Sequence, residues 1–121
     1  MKAVYILEQG GIDKLIYGDL PDPEPGPGEV LVRLHAAALN HIDIYARSGR
    51  NRVRVPSFPH VLGSDMAGEV TALGTGVHGV SVGQRVLINR DLKCGACEQC
   101  VMGQDESCLR QGSLGGSAWG G

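Results

Sequence analysis

Glu29-Val30-Leu31-Val32-Arg33-Leu34-His35-Ala36-Ala37-Ala38 alternates two sets of side chains along one run. Val30, Val32, Leu34 and Ala36 fall on one face, and Leu31, Arg33 and His35 on the other. That period of two is the mark of a half-buried strand. Residues 19–29, just before it, hold four of the chain's six prolines. Proline fixes φ and removes a backbone donor, so this stretch is expected to run extended over the surface with no helix. After the strand the period changes. Asn40-His41-Ile42-Asp43-Ile44-Tyr45-Ala46-Arg47 reads as a short helix, with Asn40 as N-cap and Ser48-Gly49 closing it. Further out, Lys2 to Leu7 reads as an opening strand with Leu15 to Tyr17 as its hairpin partner. Gly63 to Gly74 and Gln84 to Asn89 read as two more strands, separated by turns at Gly76, Gly79 and Gly83. No internal repeat or domain boundary interrupts the pattern. The expected class is mainly β, a partly open barrel with short helices.

Composition narrows the choices. Nineteen glycines in 121 residues are about twice the usual share of roughly 7%, without the three-residue period of collagen. Only 4% of residues are aromatic, so the core must come from Val, Leu, Ile and Ala. Eleven basic against thirteen acidic side chains give a net charge of −2, which argues against dedicated nucleic-acid binding. No apolar run approaches a membrane span. Met1-Lys2-Ala3-Val4-Tyr5 lacks the apolar stretch of a signal peptide. A cytoplasmic protein with neither membrane nor nucleic-acid partner is expected.

Cys94, Cys97, Cys100 and Cys108 lie within fifteen residues as C-x2-C-x2-C-x7-C. Disulfide frameworks staple distant segments of exported chains. An iron–sulfur run of the bacterial type has x3 before its fourth cysteine and a proline after it; here the spacing is x7 and Leu109 follows. Four thiolates in one short loop are what a tetrahedral structural zinc needs. The expected zinc loop spans residues 90–112, with Gly95 and Gly103 allowing sharp turns and Arg90, Lys93 and Arg110 placed to offset its charge. Four protein ligands fill the metal's shell, so such a zinc folds a loop and does not catalyse. The closing Gly115-Gly116-Ser117-Ala118-Trp119-Gly120-Gly121 has no cap or apolar anchor. It is not a phosphate loop, since no βαβ context surrounds it.

The order of these features resembles the N-terminal, GroES-like catalytic domain of the medium-chain dehydrogenase/reductase superfamily, which contains zinc-dependent alcohol dehydrogenases and quinone oxidoreductases. The matching stretches are Pro25 to Val32, Ala38 to Gly49, Pro59 to Val70 and Val82 to Val86, followed by the cysteine loop. The resemblance covers essentially the whole chain, read as one domain over residues 1–121. It implies a larger parent protein, an NAD(P)-dependent oxidoreductase with a Rossmann domain that these 121 residues do not contain, so that this chain alone is inactive. It also implies a small-molecule substrate. Apolar surface left open by the missing parts would favour homo-oligomers.

Where alcohol dehydrogenases of the superfamily place a catalytic-zinc cysteine and histidine, this chain has Asn40 and Ser64, and Asp65 stands for the neighbouring glutamate. Neither an amide nor a hydroxyl is a good zinc ligand beside thiolate or imidazole. The Asn-x-x-Asp helix and Gly63-Ser64-Asp65 are similar to the quinone oxidoreductase branch, which works without catalytic zinc. A rearranged site on His41, His60 and Asp65 is the competing arrangement; the simpler expectation leaves both histidines near the surface. Asn40, Tyr45 and Ser64 are the expected catalytic residues, with Asn40 and Arg47 meeting the cofactor; Asp43 orients its neighbours, and a pair with Asp43 at i+4 is the other role open to Arg47. The contrasting possibility is a free-standing GroES-like or zinc-dependent binding module with no enzymatic activity.

Overall fold

The structure is a computed structural model that describes residues 1–53 and 55–115. In chain order it comprises β1 (Lys2–Ile6), β2 (Ile16–Asp19), β3 (Val30–Ala38), α1 (His41–Ser48), β4 (His60–Val61), β5 (Asp65–Leu73), β6 (Arg85–Ile88), β7 (Asp91–Leu92), α2 (Glu98–Val101) and β8 (Gly112–Ser113). Three antiparallel sheets result, ordered β2-β1-β4, β3-β5-β6 and β7-β8. The described strands close no barrel, in keeping with the partly open expectation. The proline-rich segment carries no helix. None of the described helices is long and apolar enough to cross a membrane. Of the closing glycine-rich stretch, residues 116–121 lie outside the described residues.

β3 departs from its expected facing. The strand forms and pairs with β5 from Val30↔Leu73 to Ala38↔Asp65, but the register shifts between Leu31 and Val32 and again between Leu34 and Ala36. The first extra residue, Thr71, is on β5, and the second, His35, is on β3, so only the second turns the later side chains of β3 over. One continuous buried face is not found: Leu31 and Val32 are half-buried, while Leu34 and Ala36 are exposed. The buried side chains are spread over other elements: Ile6 on β1 opposite His60 on β4, Ala46 on α1, and Met66 and Val70 on β5, with Ser64 just before it.

α1 shows why its sequence reading works. Asn40 has extended backbone angles, and Asp43 Oδ2 accepts the Asn40 backbone N–H at 2.8 Å, one half of a capping box. Gly49 ends the helix at φ 70° and its N–H bonds Tyr45 O, the left-handed closure that favours glycine. The helix is then clamped from outside. Gln9 Nε2 donates to Ala46 O at 2.7 Å and to Val53 O at 2.9 Å. Gly10 N–H donates to Arg47 O at 2.8 Å, and Arg47 Nη1 donates to Gly10 O at 2.6 Å.

Gly68 marks the tightest approach within the central sheet. A Cβ there would lie 2.2 Å from Arg33 O and 2.8 Å from Val32 Cγ1. Backbone cannot retreat as a flexible side chain can. Gly68→Ala is therefore expected to destabilise the fold by about 1–3 kcal/mol through overpacking, read as a lower urea midpoint at unchanged slope.

Candidate functional site

The four cysteine sulfurs lie within 4.8 Å of one another and form the only group of three or more metal-ligating side chains assembled among the described residues. Cys97 Sγ is 3.5 Å from Cys100 Sγ, and Cys108 Sγ is 3.6 Å from Cys94 Sγ. Those gaps are far longer than a disulfide, and all four cysteines are free. A tetrahedron with ligands about 2.3 Å from a central zinc requires sulfurs about 3.8 Å apart, so the pocket fits the ion. Short elements aim the sulfurs: α2 begins immediately after Cys97 and carries Cys100, and a 3₁₀ turn over Asp105–Ser107 delivers Cys108.

The charge of this cluster is met in part as expected. The bond to Asp105 raises the Lys93 pKa most and the charge of Cys100 raises it further, whereas Arg90 turns to Ser64 and Asp91. Arg110 reaches Cys108 Sγ through its backbone N–H at 3.4 Å. Backbone donors do the same elsewhere, from Cys97 to Cys94 Sγ at 3.3 Å and from Cys94 to Cys108 Sγ at 3.4 Å. The N–H groups of Cys100 and Leu109 draw the Cys97 thiol down to about 6. Those of Cys94 and Arg110 lower Cys108. Burial, with the neighbouring thiols, pushes Cys100 up to about 12. The pocket thus holds some thiolate before a cation arrives, and a cation displaces the remaining protons.

A second constellation forms where β3 and β5 meet α1. Asn40 Nδ2 donates to Asp65 Oδ2 at 2.8 Å. The next residue back, Ser64, is 2% exposed, and its Oγ lies 3.4 Å from Arg90 Nη1. These are two separate bonded pairs, Asn40–Asp65 and Ser64–Arg90, on consecutive residues of which Ser64 is buried and Asp65 exposed. Tyr45 is half-buried on α1, about 140° around the helix axis from Asn40 at roughly 100° per residue. The Asp43–Arg47 pair does not form. Arg47 is bonded to Gly10 O, whereas Asp43 holds the Asn40 N–H and its buried Oδ1 has no partner among the described residues.

The histidines correct a further expectation. His41 is exposed, but His60 is 1% exposed, with Nε2 3.3 Å from Gly115 O. They join no metal-ligating group with Asp65 among the described residues. His60 escaped the sequence reading because β4 has only two residues, too few for a period to show. Arg90 escaped as a neighbour of Ser64 because the contact spans 26 residues of chain.

The family model of the alcohol dehydrogenase GroES-like domain matches residues 26–121. An NAD-dependent alcohol dehydrogenase of Sulfolobus acidocaldarius is 36% identical over 125 residues, covering all of this chain and 36% of that protein. A quinone oxidoreductase of Pseudomonas aeruginosa is 46% identical over 85 residues, covering 70% of this chain and 26% of that one. The structure of a cobalt- and zinc-bound thermostable alcohol dehydrogenase from Pyrobaculum aerophilum matches with a TM-score of 0.91 at 36% identity, over 100% of this chain and 36% of that one. The matched stretch thus spans between 26% and 36% of the length of these relatives.

The geometry leads to two testable outcomes. Cys97→Ser is expected to release bound metal and loosen residues 90–112 while the β3-β5-β6 sheet persists, as followed by elemental analysis and amide exchange. Burial lowers the His60 pKa below 6.5, against a smaller opposing effect of the Gly115 carbonyl. The unfolded chain therefore takes up this proton at a higher pH than the folded chain does. Stability should fall as pH drops below 6.5 toward the folded-state pKa, and His60→Gln should remove that component from urea titrations.

Proposed function

Because the chain belongs to the alcohol dehydrogenase GroES-like domain family, we propose that it is the catalytic-domain portion of an NAD(P)H-dependent oxidoreductase acting on a quinone, an enone or an alcohol/aldehyde. In this reading residues 1–121 form the N-terminal part of that domain, and the Rossmann domain belongs to further sequence of the parent. Every strand pairing among the described residues is antiparallel, so none of them builds the βαβ unit that cradles a dinucleotide. Cys94, Cys97, Cys100 and Cys108 hold a structural zinc, and no catalytic zinc is used. A cytoplasmic setting, where thiols stay reduced, suits such a site. The chain alone is inactive and self-associates.

The Asn40–Asp65 bond carries the zinc-free reading. It joins the position that the resemblance assigns to a zinc-ligating cysteine to that of the glutamate beside the zinc-ligating histidine, and it satisfies them with each other. Bound dihydronicotinamide supplies a hydride to an electron-poor carbon. The residues of this chain manage the charge and the proton at the substrate oxygen. The second amide N–H of Asn40 is available to that oxygen or to the cofactor, and Tyr45 delivers the proton. Arg47 keeps donors free for a cofactor phosphate after its bond to Gly10 O. Ser64 supports the substrate end from its buried place.

Protein expressed with the sequence beyond Gly121, purified without added metal, should contain one zinc per chain. Two would restore a catalytic metal, and none would remove the structural one. One zinc with no NAD(P)-dependent activity toward quinones, enones, aldehydes or alcohols would favour a binding module instead. Tyr45→Phe should lower kcat by about 10²–10⁴ if the hydroxyl transfers the proton, with little change in KM.

A further inference from the structure

We propose that Arg90 is a catalytic residue, the fixed cation that receives the negative charge developing on the substrate oxygen, with Ser64 positioning it. The proposal rests on the zinc-free reading above. A site without a metal must stabilise that oxygen with preorganised donors. Ser64 stands where the resemblance puts a zinc-ligating histidine, and the side chain bonded to its hydroxyl is the cation Arg90. The Ser64 hydroxyl is 2% exposed and faces Arg90, so it is placed to hold a partner and not to meet a ligand. The Arg90 side chain, by contrast, is 38% exposed.

The guanidinium is held on several sides. Arg90 O accepts the Leu114 N–H at 3.0 Å, which pins the backbone just beyond β6. Nε lies 3.5 Å from Asp91 Oδ1, and Nη1 lies 3.4 Å from Ser64 Oγ. A guanidinium carries five N–H donors, so these contacts leave donors for a ligand. His60, four residues before Ser64 and depressed in pKa by its burial, is neutral at pH 7 and supplies no charge.

The electron count places the demand on this cation. The substrate's acceptor carbon takes a hydride, and the two electrons come from a dihydronicotinamide that is thereby oxidised. The π pair of the acceptor moves onto its oxygen, leaving an enolate, alkoxide or hydroquinone anion. A proton then neutralises that anion. Arg90 binds the anion before the proton arrives, and it favours acceptors whose charge collects on one exposed oxygen.

The test measures binding without turnover. 4-Nitrophenolate mimics the anionic oxygen, and 4-nitroanisole is its neutral counterpart; both are titrated into the full-length protein that carries this chain. Arg90→Gln should weaken phenolate binding by about 10- to 100-fold, the usual worth of a hydrogen bond to a charged group. It should leave anisole binding and the single zinc unchanged. Arg90→Lys should recover part of the loss, because it keeps charge but not the fork. Ser64→Ala should lower phenolate affinity less than Arg90→Gln and spare anisole. Unchanged phenolate affinity in Arg90→Gln, or an equal loss for anisole, would overturn the assignment while leaving the zinc-free reading intact. A second zinc in the wild-type protein would overturn both.

Discussion

Ala38 opposite Asp65 is the pairing on which the site depends. It sets the end of β3 against the beginning of β5, so the chain leaving β3 enters α1 beside the chain entering β5. Asn40, two residues past the pair, can then reach Asp65, and Ser64 lies one residue before it. Two irregularities interrupt the ladder on the way, an extra residue on β5 at Thr71 and one on β3 at His35, and they offset each other, so the register at Ala38–Asp65 is the one set at Val30–Leu73. Gly68 allows the strands to close between the bulge and the site, because any side chain there would meet the Arg33 carbonyl.

The cysteine lobe obeys a different constraint. It has no hydrophobic layer of its own: α2 spans four residues and β7 and β8 two each. Cohesion comes from sulfurs held close together and from backbone N–H groups turned toward them. Peptide dipoles are fixed by the turns, whereas a lysine or arginine head must be ordered at an entropic cost. Backbone donors are therefore the economical way to stabilise thiolate in a loop this short. Of the long cations nearby, Lys93 serves both Asp105 and the cluster, while Arg90 takes Asp91 and Ser64.

Most of the architecture was legible because each element carries a local signal. The Asn40 cap and the Gly49 closure bracket α1, alternation marks β3, and four prolines forbid helix before it. The cysteine spacing points to a metal pocket that the sulfur geometry fits. The rest could not be read, because it depends on contacts remote in sequence. The facing of β3 depends on which residue of β5 stands opposite, information that a single strand does not contain. His60 looks like a surface residue until β1 and Gly115 cover it. Arg90 looks like a countercharge for the cysteines until β6 carries it past Ser64. The register of His60 against Ile6 and the bond from Leu114 to Arg90 both join segments brought together only by the complete fold.

The clamp formed by Gln9 and Gly10 lies outside the stretch that the family model matches, residues 26–121. Even so, it supplies four hydrogen bonds to the end of α1 and the turn beyond it. The segment ahead of the matched stretch and the helix that bears Tyr45 are thus one mechanical unit. Replacing Gln9 with a residue lacking an amide would leave two carbonyls, those of Ala46 and Val53, without their shared donor. Changes at positions 9–10 and 46–53 are therefore coupled. A chimaera that swaps the first hairpin between relatives without its matching helix end would inherit the sheet but misplace the helix.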